Sequence, residues 1–351
     1  MKKRTLFAIV ISIVFIVIGG IGTVVMQGKL FDERQKNAIS KKIPTKENKE
    51  LEISFTTATR VMIERSEDSN IYLDKEGTNF KLDKNKKADC TFTEEKDKST
   101  LVINNPSTKE NTANSFFFIY VGNYLDDSVR LRIPSHYETI NINGEFIDLS
   151  MFDIAIDTLN FDISDGSISL TDIKANRITQ EKNDSDFIID ESKIQEELSV
   201  ASSQYNISVL NTTAKKINLT TDMGDITTGN TTGDLFVTSK DGNISVNHTT
   251  GKSTIETKHG DILFHDDNID NETLLTSTTG DIDIETDKAS IDNNELDFET
   301  KLGDISIFNK NLSSNNKYKT NKGKTRIKAI SNHGDIEVEE LESDDTHYGY
   351  D

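Results

Sequence analysis

The sequence predicts an all-β protein: a parallel β-solenoid with a strand-rich N-terminal cap, preceded by one transmembrane helix. Three observations support this fold class. In the second half of the chain a glycine, in most cases followed by Asp or Asn and an aliphatic residue, recurs at intervals of nine residues. Short stretches of alternating polar and apolar residues, the pattern of β-strands, fill most of the remainder. An uncharged apolar stretch near the N-terminus is long enough to cross a bilayer as a helix.

Composition limits the classes of function. The 351-residue chain has a formal net charge of -20, which disfavours binding to nucleic acid and to anionic membrane surfaces. Trp is absent and Cys90 is the single cysteine, so the sequence excludes an intramolecular disulfide, a cysteine-based zinc site and a redox pair. The sequence predicts no nucleic acid partner, and it identifies neither a small-molecule substrate nor a cofactor.

Residues 1–28 are interpreted as a membrane anchor. Lys2, Lys3 and Arg4 form a basic tip that the positive-inside rule places in the cytoplasm, and residues 5–28 form the apolar span. This orientation predicts a single-pass protein of the cell membrane whose C-terminal domain is extracytoplasmic. A cleaved signal peptide is the alternative, because small residues lie at the end of the apolar core.

Two further segments precede the repeats. Residues 29–50 are charged and lack apolar periodicity, which predicts an extracytoplasmic linker. Residues 51–134 contain several alternating stretches and are expected to form a β-rich N-terminal cap, with antiparallel strands covering the first edge of the repeats. The aromatic run at residues 116–120 is apolar on both faces and is expected to be buried, with an exposed patch for a partner as the alternative.

Residues 135–341 are expected to form the solenoid, followed by an acidic tail at residues 342–351. Nine residues are too few for a coil with two faces, so two intervals, eighteen to twenty residues, are interpreted as one coil with two strands and two turns. The longer gap before the last motif requires an extra coil or a loop. The glycines assigned to turns are Gly166, Gly224, Gly233, Gly242, Gly251, Gly260, Gly280, Gly303 and Gly334.

Several motifs carry a resemblance to a known family. They are Leu-Arg-Ile-Pro at residues 131–134, Asp-Gly-Ser-Ile at 165–168, the repeated Gly-Asp-Ile, and a closing His-Gly-Asp-Ile at 333–336. Together they resemble the putative-adhesin family of bacterial envelope proteins, in particular its LiaG-like membrane-anchored members. The resemblance covers residues 51–341 and the N-terminal anchor. It implies a β-solenoid at the cell surface with a role in adhesion or envelope stress, and it supplies no catalytic residues.

Recurrent aspartates are the main candidates for chemistry. If the coils are in register, these side chains stack along corners of the rod, where each can accept hydrogen bonds from backbone N–H groups. Calcium is the alternative ligand, because acidic turns offer the oxygen donors it prefers, although the paired glycines of calcium-binding nonapeptide repeats are missing. The calcium candidates are Asp225, Asp234, Asp261, Asp281, Asp304 and Asp335.

The sequence predicts a binding or structural module rather than an enzyme. A polysaccharide-acting enzyme is a third alternative, but it would need an acid and a base in a cleft, usually with aromatic platforms. His248, His259 and His265 have no helical ligand spacing and are expected to be solvent-facing turn residues. We therefore expect a non-catalytic, membrane-anchored protein of the cell envelope, with a calcium-dependent adhesin as the second hypothesis. The expected partner is an envelope protein or a cell-wall component.

Overall fold

The computed structural model describes residues 39–56, 59–76, 90–104, 128–312 and 316–341. These residues form one continuous hydrogen-bonded sheet of 26 strands and a short helix. The predicted anchor at residues 1–28, the aromatic run at 116–120 and the acidic tail at 342–351 lie outside the described residues.

The strands are numbered in chain order. The first are β1 (Ile39–Pro44), β2 (Glu50–Phe55), β3 (Thr59–Arg65), β4 (Asn70–Glu76), β5 (Cys90–Glu94), β6 (Lys98–Ile103) and β7 (Ser128–Ile133). They are followed by β8 (Thr139–Phe152), β9 (Thr158–Thr171), β10 (Lys174–Asn183), β11 (Ser185–Asp190), β12 (Lys193–Ser202), β13 (Ile207–Leu210), β14 (Thr213–Thr221) and β15 (Ile226–Asp241).

The C-terminal part contains the remaining strands and the helix α1 (Lys288–Asn293). Before α1 lie β16 (Ile244–Thr250), β17 (Ser253–His259), β18 (Ile262–His265), β19 (Thr273–Thr279) and β20 (Ile282–Thr286). After it lie β21 (Glu295–Leu302), β22 (Ile305–Ile307), β23 (Lys310–Asn311), β24 (Lys317–Lys319), β25 (Arg326–His333) and β26 (Ile336–Glu340).

The strands stack into two parallel ladders. The first ladder runs through β2, the start of β8 and β9, β10, β12, β14, the end of β15, β17, β19, β25 and β21. The second ladder runs through β3, the end of β8 and β9, β11, β13, the start of β15, β16, β18, β20, β26 and β22. Each turn of the chain, called a rung here, adds one strand to each ladder.

Spacing between rungs follows the sequence period. Residues that bond across successive rungs are 18 to 20 positions apart, which agrees with the expected length of one coil. Within each strand alternate side chains point inward, and in the second ladder an isoleucine column is almost fully buried. Its members are Ile207, Ile226, Ile244, Ile262, Ile282, Ile336 and Ile305. Burial of such aliphatic side chains provides roughly 1.5–3 kcal/mol per residue and is the main stabilising contribution.

At the C-terminal end the rungs do not stack in sequence order. β25 and β26 lie between the rung of β19 and β20 and the rung of β21 and β22, so the last rung in sequence is an interior one. The helix α1 lets the chain pass over one level, about 4.8 Å, before β21 begins. All three segments carry the same Gly-Asp-Ile motif, so the motif cannot specify their order.

The prediction of an antiparallel N-terminal cap was confirmed only for its outer strands. β2 and β3 pair in parallel with β8 on one edge, and on their other edges they pair in parallel with β6 and β7. These four strands therefore extend the two ladders. Antiparallel pairs occur only at β1–β4, β4–β7 and β5–β6 in this part of the described chain. Alternation of polar and apolar residues identifies strands but does not specify the direction of their partners.

A further correction concerns the membrane. No helix within the described residues has the length and apolar character needed to span a bilayer. The predicted fold is therefore corrected to an all-β fold whose described residues include no membrane-spanning helix. The predicted single-pass localisation in the cell membrane, which depended on that helix, is corrected with it.

Candidate functional site

One corner of each rung, between the first and the second ladder, carries the Gly-Asp motif and is called the Gly-Asp corner. Here the N–H of Asp281 donates to Oδ1 of Asp261 at 2.8 Å, and the N–H of Asp335 donates to Oδ1 of Asp281 at 2.7 Å. The same bond links every level of one column: Asp186, Asn206, Asp225, Asn243, Asp261, Asp281, Asp335 and Asp304. One oxygen of each acceptor is therefore engaged in holding the next rung.

The calcium candidates do not all lie together. Asp225, Asp261, Asp281, Asp335 and Asp304 belong to the Gly-Asp column. Asp234 lies at a different corner, where its Oδ1 accepts the N–H of Lys252 at 3.2 Å. The structure thus splits the predicted set into a group of five and a single residue.

Glycines of the Gly-Asp corner stack in direct backbone contact. At Gly280, φ is 148°, and an added Cβ would lie 2.1 Å from the carbonyl oxygen of Gly260. No side chain fits at that separation, and the backbone conformation favours glycine. The same close approach recurs at Gly224, Gly242, Gly260, Gly334 and Gly303. The remaining predicted turn glycines lie outside this column: Gly233 and Gly251 form the corner of Asp234, and Gly166 contacts Ile147.

A column of buried hydroxyls supports the glycines. Thr257 Oγ1 donates to the carbonyl of Gly242 at 3.0 Å, and Ser331 Oγ donates to the carbonyl of Gly280 at 2.9 Å. The full set of donors to glycine carbonyls is Ser239, Thr257, Ser277, Ser331 and Thr300, all buried. These hydroxyls were not predicted from the sequence, although each lies three residues before the glycine of its own rung.

Negative charge concentrates on the outer face of the second ladder near its C-terminal end. Asp283 lies between Leu263 and Glu337 in the ladder. Burial, followed by the charges of Asp281, Glu337 and other carboxylates, raises the pKa of Asp283 to about 6. This part of the surface therefore changes charge near neutral pH.

A second corner, where the second ladder ends in each rung, has a left-handed backbone and is called the left-handed corner. Its residues have φ between 44° and 51°, a region that Asn, Asp and His adopt more readily than other side chains. The column is Asp153, Asp172, Glu191, Asn211, Asn230 and His248. Asn230 Nδ2 donates to Asn211 Oδ1 at 3.0 Å, and Asn211 Nδ2 donates to Asp190 Oδ1 at 2.8 Å.

His248 ends the left-handed column and meets residues of the next rung. Its ring centroid lies 4.9 Å from that of His265, with the planes at 82°. Its Nδ1 lies 3.8 Å from Oδ2 of Asp267. The structure therefore brings together two of the three histidines that the sequence placed separately in solvent, while His259 stays exposed at the end of β17.

A polar groove of about 460 Å³ lies on the outer face of the first ladder, across β2, β8, β9 and β10. Asn141 Nδ2 donates to Glu50 Oε1 at 2.9 Å, Asn143 Nδ2 to Glu52 Oε1 at 3.1 Å, and Asn160 Nδ2 to Asn141 Oδ1 at 2.8 Å. The residues that line it are Glu52, Lys98, Asn141, Asn143, Asn160, Phe161, Asp162, Thr179 and Glu181. Amides and carboxylates thus form ordered rows at the spacing of the strands.

Glu52 in this groove is held by a cation. Its Oε2 lies 2.8 Å from Nζ of Lys98, and that hydrogen bond raises the pKa of Lys98. The ion pair holds the two side chains in place and orients their hydrogen-bonding groups.

No curated protein matches the sequence of this chain. It is similar to crystal structures of a putative adhesin from Bacteroides fragilis (13% identity, TM-score 0.39, 86% of this chain and 96% of that one) and of a putative adhesin from Parabacteroides distasonis (12%, 0.40, 86% and 97%). A third similar structure is a putative lipid binding protein from Parabacteroides distasonis (12%, 0.33, 86% and 96%).

Likeness at these identities and TM-scores does not transfer a function to this chain. The family comparison is stronger, because it spans both ladders of the structure. The sequence profile described as Toastrack DUF4097 matches residues 48–246 and 197–339, and the chain therefore belongs to the Toastrack DUF4097 family.

Proposed function

We propose that this chain is a non-catalytic binding module of the bacterial cell envelope that holds a cell-wall polysaccharide along its polar groove. The observation that supports this is the ordered set of amides and carboxylates across β2, β8 and β9. Amide groups donate and accept hydrogen bonds, and carboxylates accept them from hydroxyls, so the groove matches the chemistry of a sugar polymer.

The groove is organised before any ligand binds. Asn141 is fixed on one side by Glu50 and on the other by Asn160, so little side-chain freedom is lost on binding. Strands lie about 4.8 Å apart, which presents similar groups at a constant interval to a repeating ligand. An elongated polymer can therefore contact several strands at once.

A binding role fits the groove better than catalysis. Glycoside hydrolysis requires a protonated acid and a second carboxylate on either side of the scissile bond. Glu52 is instead neutralised by Lys98 in an ion pair with a separation of 2.8 Å. The resemblance to LiaG-like envelope proteins supports a role in adhesion or in the response to envelope stress for the same surface.

The proposal is tested by co-sedimentation of the full-length chain with purified bacterial sacculi. We expect the double variant Asn141→Ala/Asn160→Ala to reduce the bound fraction at least tenfold. The matched control is Ser208→Ala/Thr227→Ala, which removes two outward polar side chains at paired positions of the second ladder. Binding of the control should equal that of the unmodified chain.

Two results would overturn the proposal. Equal sedimentation of the groove variant and the control would show that the groove is not the binding surface. Release of soluble sugar from the sacculi by the unmodified chain, increasing with time, would show that the protein is an enzyme.

A further inference from the structure

The geometry points to a divalent transition-metal site formed by His248, His265 and Asp267. Within the described residues, this is the one cluster of three His, Cys, Asp or Glu side chains whose candidate ligand atoms all lie within 4.8 Å of one another. The site lies at the ends of the second-ladder strands that are farther from the Gly-Asp corner. It shares no residue with the polar groove, which lies on the first ladder.

Two successive rungs supply the ligands. His248 lies in β16 at the end of the left-handed column, where other rungs have Asp, Glu or Asn. His265 is the last residue of β18, in register with Asn247, and Asp267 follows two positions later. Parallel stacking therefore places the two imidazoles side by side and sets the carboxylate at the edge of the pair.

His265 has the second contact expected of a metal ligand. Its Nδ1 lies 2.7 Å from Oε2 of Glu285, the residue paired with it in the next rung. A carboxylate that accepts the Nδ1 proton fixes the tautomer and ring orientation and leaves Nε2 with a lone pair for a metal. The carboxylate also makes Nε2 of the imidazole a stronger electron-pair donor to a metal.

Asp266 holds the two segments together. It is buried, with 8% of its surface exposed, and it accepts the N–H of Thr249 at 3.2 Å and that of Asn268 at 3.3 Å. Thr249 directly follows His248, and Asp266 lies between His265 and Asp267. One buried carboxylate thus fixes the distance between all three candidate ligands.

The donor set selects the class of metal. Two imidazoles and one carboxylate suit zinc and neighbouring divalent transition metals, whereas calcium takes six to eight oxygen ligands. Three protein ligands leave a fourth position for water or for a donor from another molecule. His248 and Asp267 are exposed, so that position faces solvent.

Zinc binding by the full-length chain, prepared without a histidine tag, tests the inference. We expect one zinc ion per chain after dialysis, measured by elemental analysis, and an intense visible absorption when Co²⁺ is bound instead. His248→Asn should weaken zinc binding at least tenfold while preserving the corner, because Asn211 and Asn230 have the same left-handed backbone. Glu285→Gln, which leaves all three ligands in place, should weaken it by about 10- to 100-fold.

His259→Ala is the matched control, since it removes an exposed histidine of the first ladder, outside the cluster. Its zinc content and Co²⁺ spectrum should equal those of the unmodified chain. The site is refuted if the unmodified chain retains no zinc, or if the folded double variant His248→Asn/His265→Ala retains as much as the control. Circular dichroism confirms that each variant is folded.

Discussion

The Gly-Asp corner and the left-handed corner turn the same chain but use polar side chains differently. In the Gly-Asp corner every acceptor of the column, from Asp186 to Asp335, bonds to the next rung. In the left-handed corner the amide links join Asn211 to Asp190 and to Asn230, and the column then ends at His248, beside His265 of the next rung. The first corner therefore repeats one hydrogen bond at every level, whereas the residue type in the second corner changes to histidine at His248.

The two columns differ in what their recurring polar residues indicate about function. A polar residue that recurs in every rung has the same neighbours in every rung, so its role is set by the stacking itself. A residue whose chemistry differs from that of the other residues in its column has a role that stacking alone does not explain. Such a residue indicates function better than the recurring residues do. His248 is such a residue, while the more conspicuous aspartates are not.

The largest effect should come from breaking the glycine stack. Gly280→Ala places a Cβ 2.1 Å from the carbonyl oxygen of Gly260 at a backbone φ of 148°, and we expect roughly 3 kcal/mol less stability. Gly229→Ala is the control, because its added Cβ meets only the mobile end of Leu210 at 3.1 Å. Thermal melting followed by circular dichroism should show a clear decrease for the first variant alone; equal melting temperatures would contradict the stacking argument.

The hydroxyl column provides the next test. Thr257→Val keeps the shape of the side chain but leaves the buried carbonyl of Gly242 without its donor, so we expect a loss of about 1–3 kcal/mol in urea unfolding. Thr228→Val is the matched control. Thr228 is also fully buried, yet its Oγ1 has no hydrogen-bond partner in the part of the chain that the structure describes. Its replacement should leave stability unchanged or increase it, and a similar loss in both variants would exclude a specific role for the Thr257 bond.

Burial of Asp283 next to other carboxylates predicts that the stability of the folded chain depends on pH. The pKa of Asp283 is about 6 in the folded chain, against an ordinary value of 3.8, so the folded state binds a proton more tightly than the unfolded state between these values. Stability from this group is therefore present at low pH and is lost as pH rises through 6. With solvent screening, we expect about 1 kcal/mol.

Asp283→Asn removes this titration. The unmodified chain should lose this stability between pH 5 and pH 7.5, and the variant should not. The free energy of unfolding of the variant minus that of the unmodified chain, measured in urea at both pH values, should therefore be larger at pH 7.5. Glu256→Gln, at an exposed position of the first ladder, is the control and should follow the unmodified chain. An identical pH dependence in all three proteins would show that Asp283 is not perturbed.

Calcium should have the smallest effect. Because one oxygen of Asp225, Asp261, Asp281 and Asp335 already accepts an N–H, we propose that the column aspartates are structural and expect millimolar Ca²⁺ to leave the melting temperature unchanged. Mg²⁺ at the same ionic strength is the control for screening of the negative charge. A rise specific to Ca²⁺, lost in Asp281→Asn, would instead support the calcium-dependent adhesin.

Local features of this protein could be predicted from sequence, and non-local ones could not. Gly-Asp-Ile repeats indicated strands and a rung of eighteen to twenty residues because both depend on nearby residues. The position of β26 depends on which of several identical motifs it pairs with. The pairing of β2 with β8 joins segments about ninety residues apart in sequence. The contact between His248 and His265 required the register of two rungs, which no local pattern specifies.

The interior position of β25 and β26 gives residues 326–340 an unusual importance during synthesis. A chain that stops before residue 326 lacks a middle level of both ladders, not an outer one. The rung of β21 and β22 is made earlier, yet it has no neighbour in either ladder until the final strands enter the gap. The C-terminal end of the ladders can therefore be completed only after the last strands have emerged from the ribosome, and an incomplete chain leaves strand edges unpaired.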